Sequence, residues 1–422
     1  MLQAAQVAAR LGGVPYVINL AACRHHFAVG FASALKVGAI TLLPPNRQPG
    51  TIVQVAGLYP GCVALCDQPL NAELLEELCK AGVPLLDITE SGQGLLESAT
   101  DLSSIAADQC AAIVFTSGST GEPAAVAKPW GALTGAADLI ARRFFSSHAG
   151  AVVATVPPQH MYGLETTVVM GLCGGASICA TQPFFPADVQ AALAAVPAPR
   201  TLVTTPVHLR ALLRADLSVP QLRQVISATA PLQADQAAEA EARWDCRVME
   251  IYGCSEAGSL ASRRTVEGDF WELLDGIRLV QGGEQLQVVA PHLPGPVPLQ
   301  DRLAPVDDRH FRFLGRGADM LNIAGKRASL AELTARLLAV PGVEDGVIFQ
   351  RDIAKPGQQR LAALVVSARP PQEILADMAV GIDPVFLPRP LRAVESIGRN
   401  AVGKVPRAQL LAMLQRTSGG GD

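Results

Sequence analysis

Ala111-Ala112-Ile113-Val114-Phe115-Thr116-Ser117-Gly118-Ser119-Thr120-Gly121 is a short apolar run that ends in a cluster of glycine, serine and threonine. An apolar run closed by turn-forming residues reads as a buried strand. The glycines behind it let the backbone come close to an anion, and successive N–H groups there can form a nest. Hydroxyl donors sit among them, and Pro123 follows. The stretch suits a triphosphate. A Gly/Ser/Thr cluster alone is more often a surface turn. The strand in front of it makes phosphate binding the better reading.

Outward from this loop the chain alternates strands and helices. Ala151–Val156, ending at Pro157-Pro158, is a second apolar strand pattern, Leu202–Thr205 a third and Gln224–Ser227 a fourth. Helical patterns at Ala132–Phe145 and Val207–Leu213 separate them. Uniformly apolar strands between helices predict a largely parallel sheet covered on both faces. Past about residue 270 the pattern changes. Ile277–Val280 and Gln285–Val289 read as paired strands around Gly282-Gly283. A final segment predicts a helix at Leu330–Leu338, strands at Val343–Phe349 and Leu361–Val366, and a helix at Gln372–Val380. That is a small α+β unit of about 100 residues. The expected fold class is therefore α/β. A large N-terminal domain, residues 1–316, has mostly parallel sheets packed by helices, and a small α+β C-terminal domain takes residues 317–422. No internal repeat is visible, and the Gly-rich tail Ser418–Asp422 is expected to be disordered.

With 422 residues, a prior of roughly 150 per domain gives two or three domains. Hydrophobic residues at 49% supply a sizeable core, and a net charge of -4 leaves no basic footprint for nucleic acid. Partners are expected to be small molecules or another protein. The nine cysteines include no C-x-x-C pair; Cys62 and Cys66 lie closest, with Cys79 beyond and no histidine beside them. Zinc would want tighter spacing, so free thiols in a reducing compartment are expected. The opening MLQAAQVAARLGG lacks a secretory pattern. The uncharged stretch Thr166–Ala187 carries Gly174-Gly175, Gln182 and two prolines, and reads as buried strand-turn-strand rather than a membrane span. A cytoplasmic enzyme is the expectation.

Four motifs in order carry a resemblance to a known family. Phe115–Gly121 resembles the signature loop of the adenylate-forming superfamily: acyl-CoA synthetases, aryl acid ligases and peptide-synthetase adenylation domains. The family usually has lysine directly after the proline, where this chain has Ala124; Lys128 is a candidate to reach the same phosphates. Ile251-Tyr252-Gly253-Cys254-Ser255-Glu256 resembles the second element. The resemblance implies that Tyr252 stacks on adenine and that Glu256, with Thr120, holds Mg²⁺, for which a carboxylate is a suitable hard ligand. Asp301 and Gly315-Arg316 match a pair that contacts the ribose. Asn400–Arg407 resembles the closing motif, whose lysine, here Lys404, bridges carboxylate and α-phosphate. A cation there stabilises charge as it develops.

The resemblance assigns the remaining candidates. Lys404, His160 and Glu256 are the catalytic set. Thr116, Ser117, Gly118, Ser119, Thr120, Gly121, Ser227, Ala228, Thr229, Tyr252, Gly253, Ser255, Asp301 and Arg316 bind nucleotide. His160, Tyr162, Gly163, Ala230 and Ile251 border the acid, with Glu165 a further candidate to meet a phenol. Taken alone, a histidine beside an apolar strand is more often structural; its place at a strand's carboxyl end raises its standing. In the superfamily the small domain is mobile and rotates between two half-reactions, letting one site serve two chemistries. The hinge aspartate aligns with Ala318, with Asp319 next, and Gly325 would approach a pantetheine arm. Asn19–Phe27, Leu42–Pro45, Gln159–Glu165 and Gly325–Leu330 together look like the compact acyl-AMP ligases of aryl-polyene and xanthomonadin-type pigment pathways. That implies a hydroxybenzoate-type acid such as 4-hydroxybenzoate, ATP and Mg²⁺, and an acyl carrier protein or CoA as acceptor.

Three other readings compete. A medium-chain fatty acid is an alternative substrate. A degenerate ATP-binding protein is a second class, motivated by Ala124 and Ala318. Gly398–Lys404 also fits most of a Walker loop, but Val405 stands where magnesium binding needs Ser or Thr, and Pro406 opposes a helix start. No G-x-S-x-G nucleophile elbow occurs.

Overall fold

The computed structural model describes residues 2–89, 105–116, 124–145, 150–283, 285–316, 320–323, 326–351, 360–380, 382–400 and 403–416. They fall into two compact units. Met1–Gly268, Glu272–Arg278 and Val288–Val297 make the first, and Asp269–Trp271, Leu279–Gln287 and Pro298–Asp422 the second.

The first unit opens with α1 (Leu2–Leu11), β1 (Tyr16–Asn19), α2 (Arg24–Lys36), β2 (Ile40–Leu43), α3 (Pro49–Leu58), β3 (Cys62–Cys66), α4 (Ala72–Lys80), β4 (Leu85–Asp87), β5 (Cys110–Thr116) and β6 (Ala124–Pro129). These strands form a sheet of order β4-β3-β1-β2-β5-β6. Its neighbours are parallel except for the antiparallel β5–β6 pair. Successive side chains on a strand point to opposite faces, so a sheet covered on both sides needs apolar residues at every position. Val17, Leu43, Leu65 and Val114 enter a core shared with α1 and α2. Their neighbours Ile18, Leu42, Ala64 and Ile113 enter a second core with α3 and α4.

The second sheet follows α5 (Trp130–Phe145). It uses β7 (Ala151–Ala154), β8 (Ser177–Ile178), β9 (Arg200–Thr204), β10 (Gln224–Ser227), β11 (Arg247–Cys254), β12 (Gly258–Arg264) and β13 (Phe270–Leu273). Strands β8-β7-β9-β10-β11 are parallel neighbours, and β12 runs antiparallel to β11. Helices α8 (Pro186–Ala195), α9 (Pro206–Arg214) and α10 (Ala234–Trp244) cover one face through Leu193, Leu209, Ala237 and Trp244. The other face, through Val152, Val203 and Ile226, joins the same core as Val17 and Leu43.

One expectation is corrected. Thr166–Ala187 is not strand-turn-strand: α6 (Met161–Gly163) runs through a π turn, Leu164–Val169, into α7 (Met170–Leu172), and only Ser177–Ile178 is a strand. An apolar run cannot be told from a buried helix by periodicity, and Gly174-Gly175 with the two prolines pointed to a turn between strands. Here the Thr166 and Thr167 hydroxyls donate to the carbonyls of Tyr162 and Gly163, satisfying them within the helix.

In the second unit, β17 (Asp301–Pro305) and β18 (His310–Arg316) form an antiparallel hairpin, as do β19 (Met320–Ile323) and β20 (Lys326–Ser329). Strands β14 (Arg278–Gly282), β15 (Gln285–Val289) and β16 (Val297–Pro298) are neighbours in a small sheet. Another sheet of β21 (Val343–Gln350), β22 (Leu361–Ser367) and β23 (Leu391–Ala393) is packed by α11 (Leu330–Leu338), α12 (Pro371–Ala379) and α13 (Arg407–Arg416). Its residues alternate faces in the same way. Ala363 and Val365 meet Leu333, Leu337 and Ile374, while Ala362 and Leu364 meet Leu410 and Leu414. The tail Ser418–Asp422 lies outside the described residues.

Candidate functional site

The parallel strands β7, β9 and β10 end together, and β11 runs on past them to Cys254. Register pairs Ala154 with Val203, Ser227 with Thr204, and Ser227 with Glu250. In open α/β sheets, ligands bind outside such carboxyl ends. The Pro157–Gly163 and Ala228–Pro231 loops and the Cys254–Gly258 turn all leave this edge, and they carry most of the expected site residues.

The loop after β7 is held from below. Arg24, 2% exposed, donates from Nη1 to Thr167 Oγ1 at 2.8 Å and from Nη2 to the carbonyls of Ala154 and Val156 at 2.9 and 3.0 Å. Burial pulls its pKa down to about 10, against the opposing influence of Cys179 and Cys23. Gly163 has no room for a side chain, since a Cβ there would lie 2.0 Å from the Pro157 carbonyl oxygen. His160 caps α6 and is half-buried. Tyr162 is buried and its hydroxyl donates to the Ile226 carbonyl at 2.8 Å, so that hydroxyl is already engaged under the loop.

The loop after β10 is pinned from β11. Leu232 N donates to Glu250 Oε1 at 2.9 Å, and Arg263 and Thr265 hold the other carboxylate oxygen. Burial pushes the Glu250 carboxyl up, with Arg263 and the hydrogen bonds working against it. Thr229 takes a positive φ of 82°, a conformation that side-chain-bearing residues seldom adopt and that clusters at functional sites. Ser227 is fully buried, and its Oγ has no hydrogen-bond partner among the described residues; Gln159 Oε1, in the loop after β7, is buried in the same state. Ala228 and Ile251 are buried and Ala230 is exposed.

Tyr252 and Gly253 straddle a register shift where β11 meets β12. The turn after them exposes Glu256 and leaves Ser255 half-buried. Its backbone is crowded: a Cβ on Gly253 would meet the Gly258 carbonyl at 2.3 Å, and one on Gly258 would meet Glu165 Oε1 at 2.3 Å. Beneath it, Lys128 on β6 is 3% exposed and donates from Nζ to the Glu256 carbonyl at 2.7 Å. Glu165, 2% exposed, accepts from Ser259 N at 3.1 Å and Ser259 Oγ at 2.6 Å. Burial drives the Lys128 pKa down and that of Glu165 up, and their mutual attraction opposes both shifts. Burial also pushes the Cys254 thiol up to about 12, so no reactive thiolate stands here.

In the second unit, Asp301 and Arg316 are direct cross-strand partners on the β17–β18 hairpin. Lys404 is exposed on a tight loop. Lys404 N donates to Asn400 Oδ1 at 2.8 Å, Asn400 N to the Lys404 carbonyl at 2.8 Å, and Gly403 takes a φ of 79°. Arg399 clamps this loop, reaching the Gly403 carbonyl at 2.9 Å and both carboxylate oxygens of Asp345 at 2.7 and 2.9 Å.

Ser117, Gly118, Ser119, Thr120, Gly121, Ala318, Asp319 and Gly325 lie outside the described residues, and of Thr116 and Arg316 only the backbone is described. The sequence reading missed the supports Arg24, Glu250 and Arg263, whose partners are distant in the chain. It also missed Cys23, His26 and Asp67, whose donor atoms lie within 4.8 Å of one another. Asp67 already accepts from Ala22 N, Cys23 N and His26 Nδ1 there, closing the turn into α2. A polar cleft lined by Arg143, Arg223, Asp245, Arg247 and Arg264 sits where β10 and β11 begin. Its Arg143 and Arg264 are committed to Glu272 and Glu241.

Two sheets share one core, and loops that carry the expected site residues gather at the carboxyl ends of one of them. The chain belongs to the AMP-binding enzyme family, whose model matches residues 14–296. It is 29% identical over 277 residues to a 4-coumarate–CoA ligase of Rhodobacter capsulatus, covering 64% of this chain and 66% of that protein. It is 24% identical over 368 residues to a 3-hydroxybenzoate–CoA/4-hydroxybenzoate–CoA ligase of Thauera aromatica, covering 74% and 68%. A benzoate CoA ligase from Burkholderia xenovorans shares its fold with a TM-score of 0.76 at 17% identity, covering 97% of this chain and 92% of that one. Among the described residues, no helix is long and apolar enough to cross a membrane.

Proposed function

We propose that this protein uses ATP to activate an aryl carboxylic acid of the hydroxybenzoate type, such as 4-hydroxybenzoate, and passes the acyl group to the thiol of an acyl carrier protein or CoA. The observation that carries this is the convergence of the His160 loop, the Ser227–Ala230 loop and the Tyr252–Glu256 turn at one edge of parallel strands. The buried, unpartnered Ser227 Oγ and Gln159 Oε1 at that edge fit a polar ligand. The named activities of the Rhodobacter and Thauera relatives support an aryl acid.

In this reading a carboxylate oxygen of the acid attacks the α-phosphorus of ATP. The bond from α-phosphorus to the bridging oxygen breaks, and pyrophosphate leaves with both electrons. The thiolate then attacks the acyl carbon, and AMP leaves as the carbon–oxygen bond breaks. Tyr252 stacks on adenine, with Ser227, Ala228, Thr229, Gly253 and Ser255 beside it. Asp301 and Arg316, already cross-strand neighbours, hold the ribose. Thr116–Gly121 cradle the triphosphate. Glu256 offers an exposed carboxylate that fits a hard cation and with Thr120 would hold Mg²⁺, which supplies charge neutralisation to the phosphates. Lys404 stabilises the charge gathering between carboxylate and α-phosphate. Gly163, Ala230 and Ile251 line the acyl group with the Tyr162 ring. Since the Tyr162 hydroxyl and Glu165 are engaged in the core, His160 faces the phenol end. A swing of residues 317–422 about Ala318 and Asp319 then brings Gly325 to the pantetheine arm.

The test is ATP–pyrophosphate exchange across 4-hydroxybenzoate, 3-hydroxybenzoate, benzoate, cinnamate and medium-chain fatty acids. Exchange with hydroxybenzoates is expected. Exchange with fatty acids alone removes the aryl assignment, and ATP binding without exchange points to a degenerate protein. Charging of carrier protein against CoA in the same assay decides the acceptor.

A further inference from the structure

We infer that Lys128 and Glu165 form a buried charged brace that positions the nucleotide-facing turn, and that Lys128 works through this turn rather than by touching the phosphates. The inference deepens the nucleotide reading above and rests on it.

Lys128 sits on the strand that returns from the phosphate loop, paired across from Ala112 of β5. It is the wrong residue for that place on packing grounds alone. A lysine only 3% exposed gives up nearly all its hydration, and a fully buried ammonium is tolerated only when paired and hydrogen-bonded. Its Nζ instead meets the backbone carbonyl of Glu256 at 2.7 Å, 128 residues away in the chain. Glu165, on the π turn, acts on Lys128 as an opposite charge from beyond ion-pair distance and receives both donors of Ser259. The two charges thus grip the Tyr252–Glu256 segment and its exit: Lys128 holds the last carbonyl of the turn, and Glu165 the first residue after Gly258. Gly258, at a φ of +80°, has no Cβ to push Glu165 away. Three elements remote in sequence, β6, the π turn and β12, are therefore locked around the segment that carries Tyr252, Ser255 and Glu256.

A direct phosphate contact and a positioning role make different predictions. A cation on the β- or γ-phosphate affects ATP and leaves AMP alone. A brace under the turn affects every ligand that uses Tyr252. The experiment measures equilibrium binding of ATP and of AMP by calorimetry, with thermal midpoints, for wild type, Lys128→Met and the double variant Lys128→Met/Glu165→Gln. The single variant is expected to weaken ATP and AMP alike by about tenfold, the scale of one lost hydrogen bond to a charged group. The double variant leaves no unpaired buried charge and is expected to recover the thermal midpoint without recovering nucleotide affinity. Loss confined to ATP overturns the inference in favour of a phosphate contact. Affinity that is unchanged, or that returns together with the thermal midpoint, reduces the pair to a structural role. Where the single variant does not fold, the double variant carries the same comparison. A wild-type protein that binds neither nucleotide overturns the site reading and this inference with it.

Discussion

Gly163 and Asp67 are two residues whose identity follows from a single close contact. At Gly163 the Pro157 carbonyl leaves no space for a methyl group. Gly163→Ala should therefore destabilise the protein by about 1–3 kcal/mol, the usual cost of overpacking, read from the urea midpoint. Asp67 is buried, which works against its ionisation, but the amides of Ala22 and Cys23 and the His26 ring prevail and hold its carboxyl below the usual range. A carboxyl with a depressed folded value contributes stability above its unfolded pKa and loses it as pH falls through the folded one. Asp67→Asn should thus be less stable than wild type at pH 7. The gap should close as pH drops below about 4, the unfolded aspartate value. Denaturation curves at a series of pH values check this. At this scale the sequence marked Tyr252–Glu256 as one segment, and these residues close the end of β11 and the turn that follows it. It did not give the partners of Arg24, Lys128 and Glu165, which lie 143, 128 and 94 residues away. No motif of neighbouring residues encodes such pairs.

Elements followed the sequence closely where their apolar pattern had one meaning. Gln224–Ser227 and Leu330–Leu338 form with the bounds their patterns imply. Thr166–Ala187 did not, because its buried part, Thr166–Met170, lacks the alternation that separates helix from strand. The Arg263–Glu250 pair shows what links one element to the next: β12 neutralises a carboxylate on β11 that in turn fixes the loop leaving β10. Arg263→Ala leaves Glu250 buried without its cation and should cost about 3–5 kcal/mol. Urea denaturation measures that loss. A cost under about 1 kcal/mol, the range of exposed pairs, contradicts it.

For the whole molecule, the α/β class was legible because strands buried on both faces are apolar throughout and are separated by helices. The strand order was not, since parallel neighbours such as β7 and β9 are not consecutive in the chain. The Asp301–Arg316 pairing shows how spacing in sequence became a neighbour relation once the hairpin closed. Lys404 belongs to a loop clamped by Arg399 and Asp345, so removing its ammonium should leave the fold intact. Lys404→Ala should keep the wild-type thermal midpoint and lose at least about a hundredfold in acid-dependent exchange, the scale of one lost charge-stabilising group. It should still turn over preformed acyl-adenylate with a thiol, which separates the half-reactions. The most direct test of the central claim is a single turnover with excess enzyme, ATP and 4-hydroxybenzoate, and no thiol, with products resolved by mass. The account predicts 4-hydroxybenzoyl-AMP and pyrophosphate in equal amounts, formed only when the acid is present. ADP and phosphate, or AMP released without an acyl-adenylate, would contradict it.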